Sequence, residues 1–87
     1  MKKSKRELLE LIQVAAKDQQ MLDLLLNDLL SPKEYEEMAA RVQIVKRLIE
    51  GDVQREVSES LGVSIVTVTR GARTLLNKEG GFNLLLN

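Results

Sequence analysis

The amino-acid sequence predicts an all-α protein, a helical bundle that contains a helix-turn-helix. Apolar residues recur at intervals of three and four along most of the chain, which is the spacing of one helix face. The single proline and the five glycines stand between these stretches, where they predict helix ends. No alternation of apolar and polar residues predicts a strand, and only residues 63–68, rich in Val, Ile and Thr, are ambiguous.

Two leucine-rich faces predict the first two helices, because each set falls at positions i, i+3, i+4 and i+7. The first face comprises Leu8, Leu11, Ile12 and Ala15, and the second comprises Leu22, Leu25, Leu26 and Leu29. The second helix must end before Pro32, since proline disfavours helical geometry in the residue that precedes it.

The third helix is predicted from Pro32 to Glu50. Ser31 and Glu34 form a capping-box pattern, and proline suits the first helical position. Gly51 predicts the end of this helix. The apolar face is expected to comprise Met38, Val42, Val45, Leu48 and Ile49.

A helix-turn-helix pattern follows the third helix. Asp52 is the expected N-cap of a short fourth helix that ends near Leu61. Gly62 supplies a left-handed turn that a side chain would make costly. Ser64 then caps a fifth helix, predicted from residue 65 to about residue 77.

Apolar and small residues explain how these two helices would pack. Val57 and Leu61 face the partner helix, and the small Ser58 lets the helices approach. Val63 fills the gap between them, and Val68 anchors the second helix from beneath. The alternative is that the glycine only ends one core helix and the next serine begins another.

We expect a single domain, with dimerisation helices over 1–50, the helix-turn-helix over 52–77 and a short tail over 78–87. Gly80 and Gly81 break the fifth helix, and residues 82–86 are too few for a stable helix alone. A chain of 87 residues buries only about 60–65% of its surface. Without cysteine no disulfide can compensate, so a homodimer is expected to supply the missing core.

The composition argues against an enzyme. Without cysteine and histidine the chain lacks most nucleophile–base pairs and the commonest metal ligands. Carboxylates such as Glu34 and Glu37 are predicted on a solvated helix face with nothing to raise a pKa. We therefore expect no catalytic residues, no metal and no cofactor.

The basic start of the chain, residues 1–6, is expected to be a solvated arm, with a DNA-phosphate arm as the alternative. It is not followed by a secretory cleavage site, and no apolar run reaches about 18 residues. A cytoplasmic protein without a membrane partner is therefore expected.

The charges are unevenly distributed. The 13 basic and 13 acidic residues cancel, which by itself argues against a nucleic-acid partner. Residues 64–78, however, contain Arg70, Arg73 and Lys78 and no acid, so this segment can contact phosphates. We predict a double-stranded DNA partner, contacted by Gln54, Arg55, Ser64, Ile65, Val66, Thr67, Thr69 and Arg70.

The chain resembles the Trp repressor family over residues 30–75. The motifs that carry the resemblance are Ala40-Arg41-Val42-Gln43-Ile44-Val45, Leu48-Ile49-Glu50-Gly51, Gln54-Arg55-Glu56, Gly62 and Thr67-Val68-Thr69-Arg70-Gly71. The resemblance implies an intertwined all-helical homodimer that represses transcription. Its two recognition helices would enter successive major grooves about 34 Å apart, a geometry already established for the Trp repressor.

The resemblance also implies L-tryptophan as corepressor. The guanidiniums of Arg41 and Arg70 would sandwich the indole, and Arg70 would pair with the carboxylate. Gly71 would allow close approach, and the hydroxyl of Thr74 would hold the amino group. Ser31 would lie near the ligand, with Leu30 of the partner subunit in contact.

The chain departs from the family pattern at several positions. The connection from Gly51 to Gln54 is one residue short, which removes a capping Ser or Thr that Asp52 is expected to replace. A Trp-repressor-like regulator without a tryptophan response therefore stays open as an alternative. The zero net charge and the Leu-rich segments 22–30 and 84–86 leave a second alternative, a helical interaction module that binds no DNA. In the regulator without a tryptophan response, Arg41 pairs with a helix carboxylate such as Glu37, and Arg70 contacts a DNA phosphate.

Overall fold

A computed structural model describes residues 2–87, and these residues form six α-helices and no strand. The helices are α1 Lys3–Ala15, α2 Gln19–Leu29, α3 Pro32–Ile49, α4 Gln54–Leu61, α5 Ile65–Thr74 and α6 Gly81–Leu86. The all-helical prediction is confirmed, and the ambiguous stretch 63–68 belongs to the α4–α5 turn and to α5. No helix within residues 2–87 is long and apolar enough to cross a membrane. The chain divides within α3, after Glu36, into two compact units.

The first unit is a hairpin of α1 and α2 followed by the first turn of α3. Asp18 caps α2 by accepting a hydrogen bond from the Gln20 backbone N–H at 3.0 Å. Ala15 is the only buried side chain in this unit over residues 2–36. Ile12 and Leu22 are half-buried, whereas Leu8 and Leu11 stay exposed. The predicted leucine faces therefore form helices but cover each other incompletely.

The start of α3 follows the predicted capping box. The Glu34 backbone N–H donates to Ser31 Oγ at 3.2 Å, and the Ser31 backbone N–H donates to Glu34 Oε1 at 2.8 Å. These bonds satisfy two backbone groups that a helix start leaves unpaired. Tyr35 adds a bond to α2, because its hydroxyl donates to Asp23 Oδ1 at 2.7 Å.

The second unit is built around a core of Ile44, Val57 and Val68, which are 0% exposed. The partly buried side chains of Leu48, Leu61 and Val63 pack against it. Ile44 is absent from the predicted face of α3, and the predicted Met38 and Val42 are exposed. The reason is that α3 has two apolar stripes. Positions 44 and 48 face the core of this unit, while positions 38 and 42 lie on another stripe.

The end of α5 differs from the prediction. The helix ends at Thr74 instead of near Asn77, and residues 81–86 form α6 instead of an irregular tail. Asn83, which is buried, explains both differences. Its Nδ2 donates to the carbonyls of Leu75 at 3.0 Å and Asn77 at 2.8 Å. The short α6 is therefore stabilised by tertiary contacts that an isolated peptide lacks.

Candidate nucleic-acid interface

The turn between α4 and α5 has the left-handed geometry expected of a helix-turn-helix. Gly62 has φ 67°, a conformation that costs glycine little and other residues much more. Ser58 also contributes a bond to the turn, because its hydroxyl donates to the Val63 carbonyl at 2.6 Å. Together with the buried pair Val57 and Val68, these contacts fix the crossing of α4 and α5. The predicted packing of this region is confirmed.

The N-terminus of α5 presents an exposed surface. Ser64 caps the helix by accepting a hydrogen bond from the Thr67 backbone N–H at 3.1 Å, and its hydroxyl lies 2.8 Å from that of Thr67. Ile65 and Val66 are 49% and 66% exposed. Apolar side chains held in solvent at a helix start can contact the methyl groups and edges of bases.

Polar side chains join the start of α4 to the middle of α5. The Thr69 hydroxyl lies 2.9 Å from Gln54 Oε1 and 2.9 Å from the Ile65 carbonyl oxygen. A hydroxyl has one proton, so it donates to only one of these acceptors at a time. When the hydroxyl donates to Gln54, one hydrogen bond joins two residues of the predicted DNA surface, Gln54 in α4 and Thr69 in α5.

The two arginines of the predicted DNA surface are exposed. Within residues 2–87 neither Arg55 nor Arg70 takes part in an ion pair or a side-chain hydrogen bond. Because residues 64–78 carry no carboxylate, nothing in this segment competes with a phosphate for the charge of Arg70. Arg55 has Glu56 and Glu59 beside it in α4, but it pairs with neither.

The connection before α4 corrects one prediction. Asp52 does not cap α4, whose N-cap is Val53 without any side-chain bond. The carboxylate instead pairs with Arg47, from Nε to Oδ2 at 2.5 Å. Arg47 Nη1 also donates to Ser60 Oγ at 3.0 Å. The short connection holds Asp52 close to the end of α3, where the arginine outcompetes the helix N-terminus.

Sequence reasoning missed Arg47, Ser60 and the buried Asn83. The only sequence signal for Arg47 is its charge, because Asp52 follows five positions later, just after the glycine that ends α3. Ser60 and Asn83 carry no local signal, because their partners are set by the packing of helices.

The residues that the resemblance assigns to the ligand belong to both units. In the first, Leu30 is half-buried, and Ser31 is engaged in the capping box. In the second, Gly71 packs so closely on α3 that an added Cβ would lie 2.9 Å from Ile44 Cγ2. The hydroxyl of Thr74 donates to the Gly71 carbonyl at 2.6 Å, which leaves its lone pairs as acceptors.

Arg41, the remaining member of the predicted ligand set, is exposed on α3, three residues before Ile44. The ion pair with Glu37 that the alternative reading requires is absent from residues 2–87. Over the same range no three His, Cys, Asp or Glu side chains are grouped to hold a metal ion.

A short helix, a left-handed glycine turn and an exposed, acid-free second helix define a helix-turn-helix DNA-binding regulator. The chain belongs to the Trp repressor family, whose family model, described as "Trp repressor protein", matches residues 3–87. That family consists of DNA-binding regulators and not of enzymes, so the chain is a transcriptional regulator of the Trp repressor type.

Relatives named "Trp operon repressor homolog" support this membership. The protein from Vibrio campbellii is 40% identical over 74 residues, which cover 84% of this chain and 73% of that protein. The protein from Vibrio cholerae is 39% identical over 74 residues, covering 84% and 71%. The protein from Aliivibrio salmonicida is 46% identical over 52 residues, covering 59% and 48%. No solved structure matches the chain.

Proposed function

We propose that the protein is an operator-binding repressor that acts as a homodimer with L-tryptophan as corepressor. The observation that carries the proposal is the exposed surface at the starts of α4 and α5. It combines the paired Gln54 and Thr69 with the unpaired Arg55 and Arg70. Polar pairs suit base edges, and unpaired guanidiniums suit phosphates. The full contact set is Gln54, Arg55, Ser64, Ile65, Val66, Thr67, Thr69 and Arg70.

The first unit supports the homodimer. A helical hairpin whose only buried side chain over residues 2–36 is Ala15 leaves large apolar side chains in water. The exposed ones in α1 and α2 are Leu8, Leu9, Leu11, Val14, Met21, Leu24 and Leu29. A second copy of this chain would cover them and would set two copies of α5 at a fixed spacing.

Two exposed arginines support an aromatic amino acid as effector. Arg41 and Arg70 form no ion pair within residues 2–87, so their planar guanidiniums are available to stack on an indole. Arg70 would also pair with the ligand carboxylate. Thr74 retains acceptor lone pairs for the ammonium group. Gly71 is assigned to the ligand by the family pattern, and its missing side chain makes room for Ile44 of α3. Leu30 and Ser31 complete the set that the family pattern assigns.

A regulator without a tryptophan response is the second candidate. The short 51–54 connection favours it, because the missing residue alters the link between α3 and α4. In that case Arg41 has no ligand role, and Arg70 serves only as a DNA contact.

Selection from a pool of random duplexes, with and without saturating L-tryptophan, tests the proposal. We expect one enriched, near-palindromic motif, tighter binding with tryptophan, and heat on calorimetric titration of the dimer with the amino acid. Arg55→Ala is expected to flatten the dependence of affinity on salt by about one phosphate contact. No enrichment at low salt would refute DNA recognition. Enrichment without any tryptophan effect or heat would establish the second candidate.

A further inference from the structure

We propose that Arg47 is a positioning residue for DNA recognition, because its guanidinium holds α4 in place against α3. Arg47, Asp52 and Ser60 together are called the Arg47 clamp below. The inference rests on the proposed operator binding, and it assigns a role to residues outside the predicted contact set.

The clamp connects α3 both to the residue that leads into α4 and to the last turn of α4. Arg47 lies in the last turn of α3, and its side chain reaches Asp52 at 2.5 Å and Ser60 at 3.0 Å. Asp52 stands just before α4, and Ser60 stands in the last turn of that helix. The Asp52 backbone N–H also donates to the Arg47 carbonyl at 3.1 Å. One guanidinium therefore joins the residue two positions before α4 to the last turn of that helix, and these two contacts restrict the direction of the helix.

The fourth helix needs such a bridge. It has eight residues, too few for a stable helix in isolation, and its N-cap Val53 provides no side-chain bond. Its apolar anchors are the buried Val57 and the half-buried Leu61, which both lie on one face. Ser58 and Gln54 bond α4 to the turn and to α5, whereas over residues 2–87 the Arg47–Ser60 bond is the only side-chain hydrogen bond between α4 and α3.

The clamp is expected to affect the orientation of α4 more than the free energy of unfolding. The paired side chains of Arg47 and Asp52 are 29% and 34% exposed, where solvent weakens an ion pair. The planar fork of arginine nevertheless holds two acceptors in a fixed relation. A lysine carries its donors on a single nitrogen without this planar fork, so it would not hold the two acceptors in the same fixed relation.

The consequence for DNA falls on the first residues of α4. Gln54 follows the clamped Asp52 by two positions, and Arg55 by three. Gln54 is also the residue that meets Thr69 of α5. Release of the clamp would let these side chains move from the position that faces DNA. Arg47 itself contacts no phosphate in this proposal, so the number of released counterions stays the same.

The test compares Arg47→Met, which keeps the aliphatic stem, with Lys46→Met, which removes the same charge from an exposed neighbour. Affinity of the full chain for the selected duplex is measured over a range of salt concentrations. We expect roughly tenfold weaker binding for Arg47→Met than for Lys46→Met, with an unchanged salt slope. Equal affinities of the two variants would overturn the inference. A salt slope lowered by about one would also overturn it, because Arg47 would then contact phosphate directly.

A second pair of measurements guards against misfolding. Ser60→Ala removes only the bond to Nη1, and we expect it to weaken binding in the wild-type chain and not in the Arg47→Met background. If Arg47→Met fails to unfold cooperatively, Arg47→Lys and Ser60→Ala take its place, and unchanged affinity in both overturns the inference. Absence of duplex binding by the wild type would refute the proposed function instead.

Discussion

The hydroxyl of Thr69 in α5 lies 2.9 Å from the side-chain amide oxygen of Gln54, the first residue of α4. These residues are 15 positions apart, and their bond joins the two helices of the helix-turn-helix on its exposed side. A side chain that is held before DNA arrives loses less conformational entropy on binding. The pair is therefore a preorganised element of the proposed DNA surface.

A double-mutant cycle on this pair tests that role. Thr69→Val removes the hydroxyl at nearly constant shape, and Gln54→Ala removes the amide. We expect each to weaken duplex binding, and the double variant to bind no worse than the weaker single variant. The coupling free energy is expected to be about 0.5–1.5 kcal/mol in favour of the wild-type pair. Thr69→Ser, which retains the hydroxyl, is the control, and additive effects in titrations by fluorescence anisotropy would contradict the coupling.

Two variants of Ser64, the N-cap of α5, distinguish its effect on stability from its effect on DNA binding. Ser64→Ala removes the acceptor for the Thr67 N–H, and we expect it to lower the free energy of unfolding by about 1 kcal/mol. Ser64→Asp keeps a capping oxygen and is expected to retain the stability, yet to repel phosphate and weaken duplex binding. Urea denaturation and anisotropy on the same samples measure the two effects. If Ser64→Asp binds the duplex with wild-type affinity, Ser64 does not contact DNA.

Close packing at Gly71 predicts a steric effect. An alanine there would bring Cβ to 2.9 Å from Ile44 Cγ2, so we expect a loss of about 1–3 kcal/mol in the free energy of unfolding. Ile44→Leu moves the branch away from Cβ and is expected to recover part of that loss in the double variant. Gly81→Ala is the matched control, because nothing lies within 4 Å and its backbone is ordinary. It is expected to change stability by less than about 0.5 kcal/mol. Equal effects of the two alanines would refute the contact.

The capping box predicts a pH dependence. Hydrogen bonds from the Ser31 backbone and hydroxyl lower the pKa of Glu34 below its ordinary value in the folded chain. A lowered folded pKa adds stability above the unfolded pKa, and this contribution is lost as the pH falls through the folded pKa. We expect the wild type to exceed Glu34→Gln in stability at neutral pH and the difference to vanish in acid. Denaturation across that range, with Glu36→Gln as control, measures it. A difference that persists in acid would contradict the assignment.

Local rules account for the elements that sequence predicted correctly. The capping bonds of Ser31 and Ser64 and the left-handed turn at Gly62 each involve residues within three positions of one another. The buried pair Val57 and Val68 follows from helical periodicity within α4 and α5. These signals predict five of the six helices, and the sixth, α6, needs contacts beyond its own residues.

The misassigned Asp52 and the unpredicted Asn83 share a different cause. Asp52 had two competing partners, the start of α4 and Arg47, and only the path of the chain after Gly51 decided between them. Asn83 likewise reaches back eight residues to the end of α5. Neither choice is visible in a local pattern, because each depends on which groups the packing brings together.

The sequence by itself determined the helices, their caps, the helix-turn-helix and the acid-free charge of its second helix. These properties depend on backbone propensity, periodicity and composition, which act over a few residues. Only the tertiary structure decided that Ile44 faces the core of the second unit, that Arg47 contacts both Asp52 and Ser60, and that Gln54 meets Thr69. Such contacts are set by the crossing of helices, where an apolar side chain has several possible faces and a polar one several possible partners.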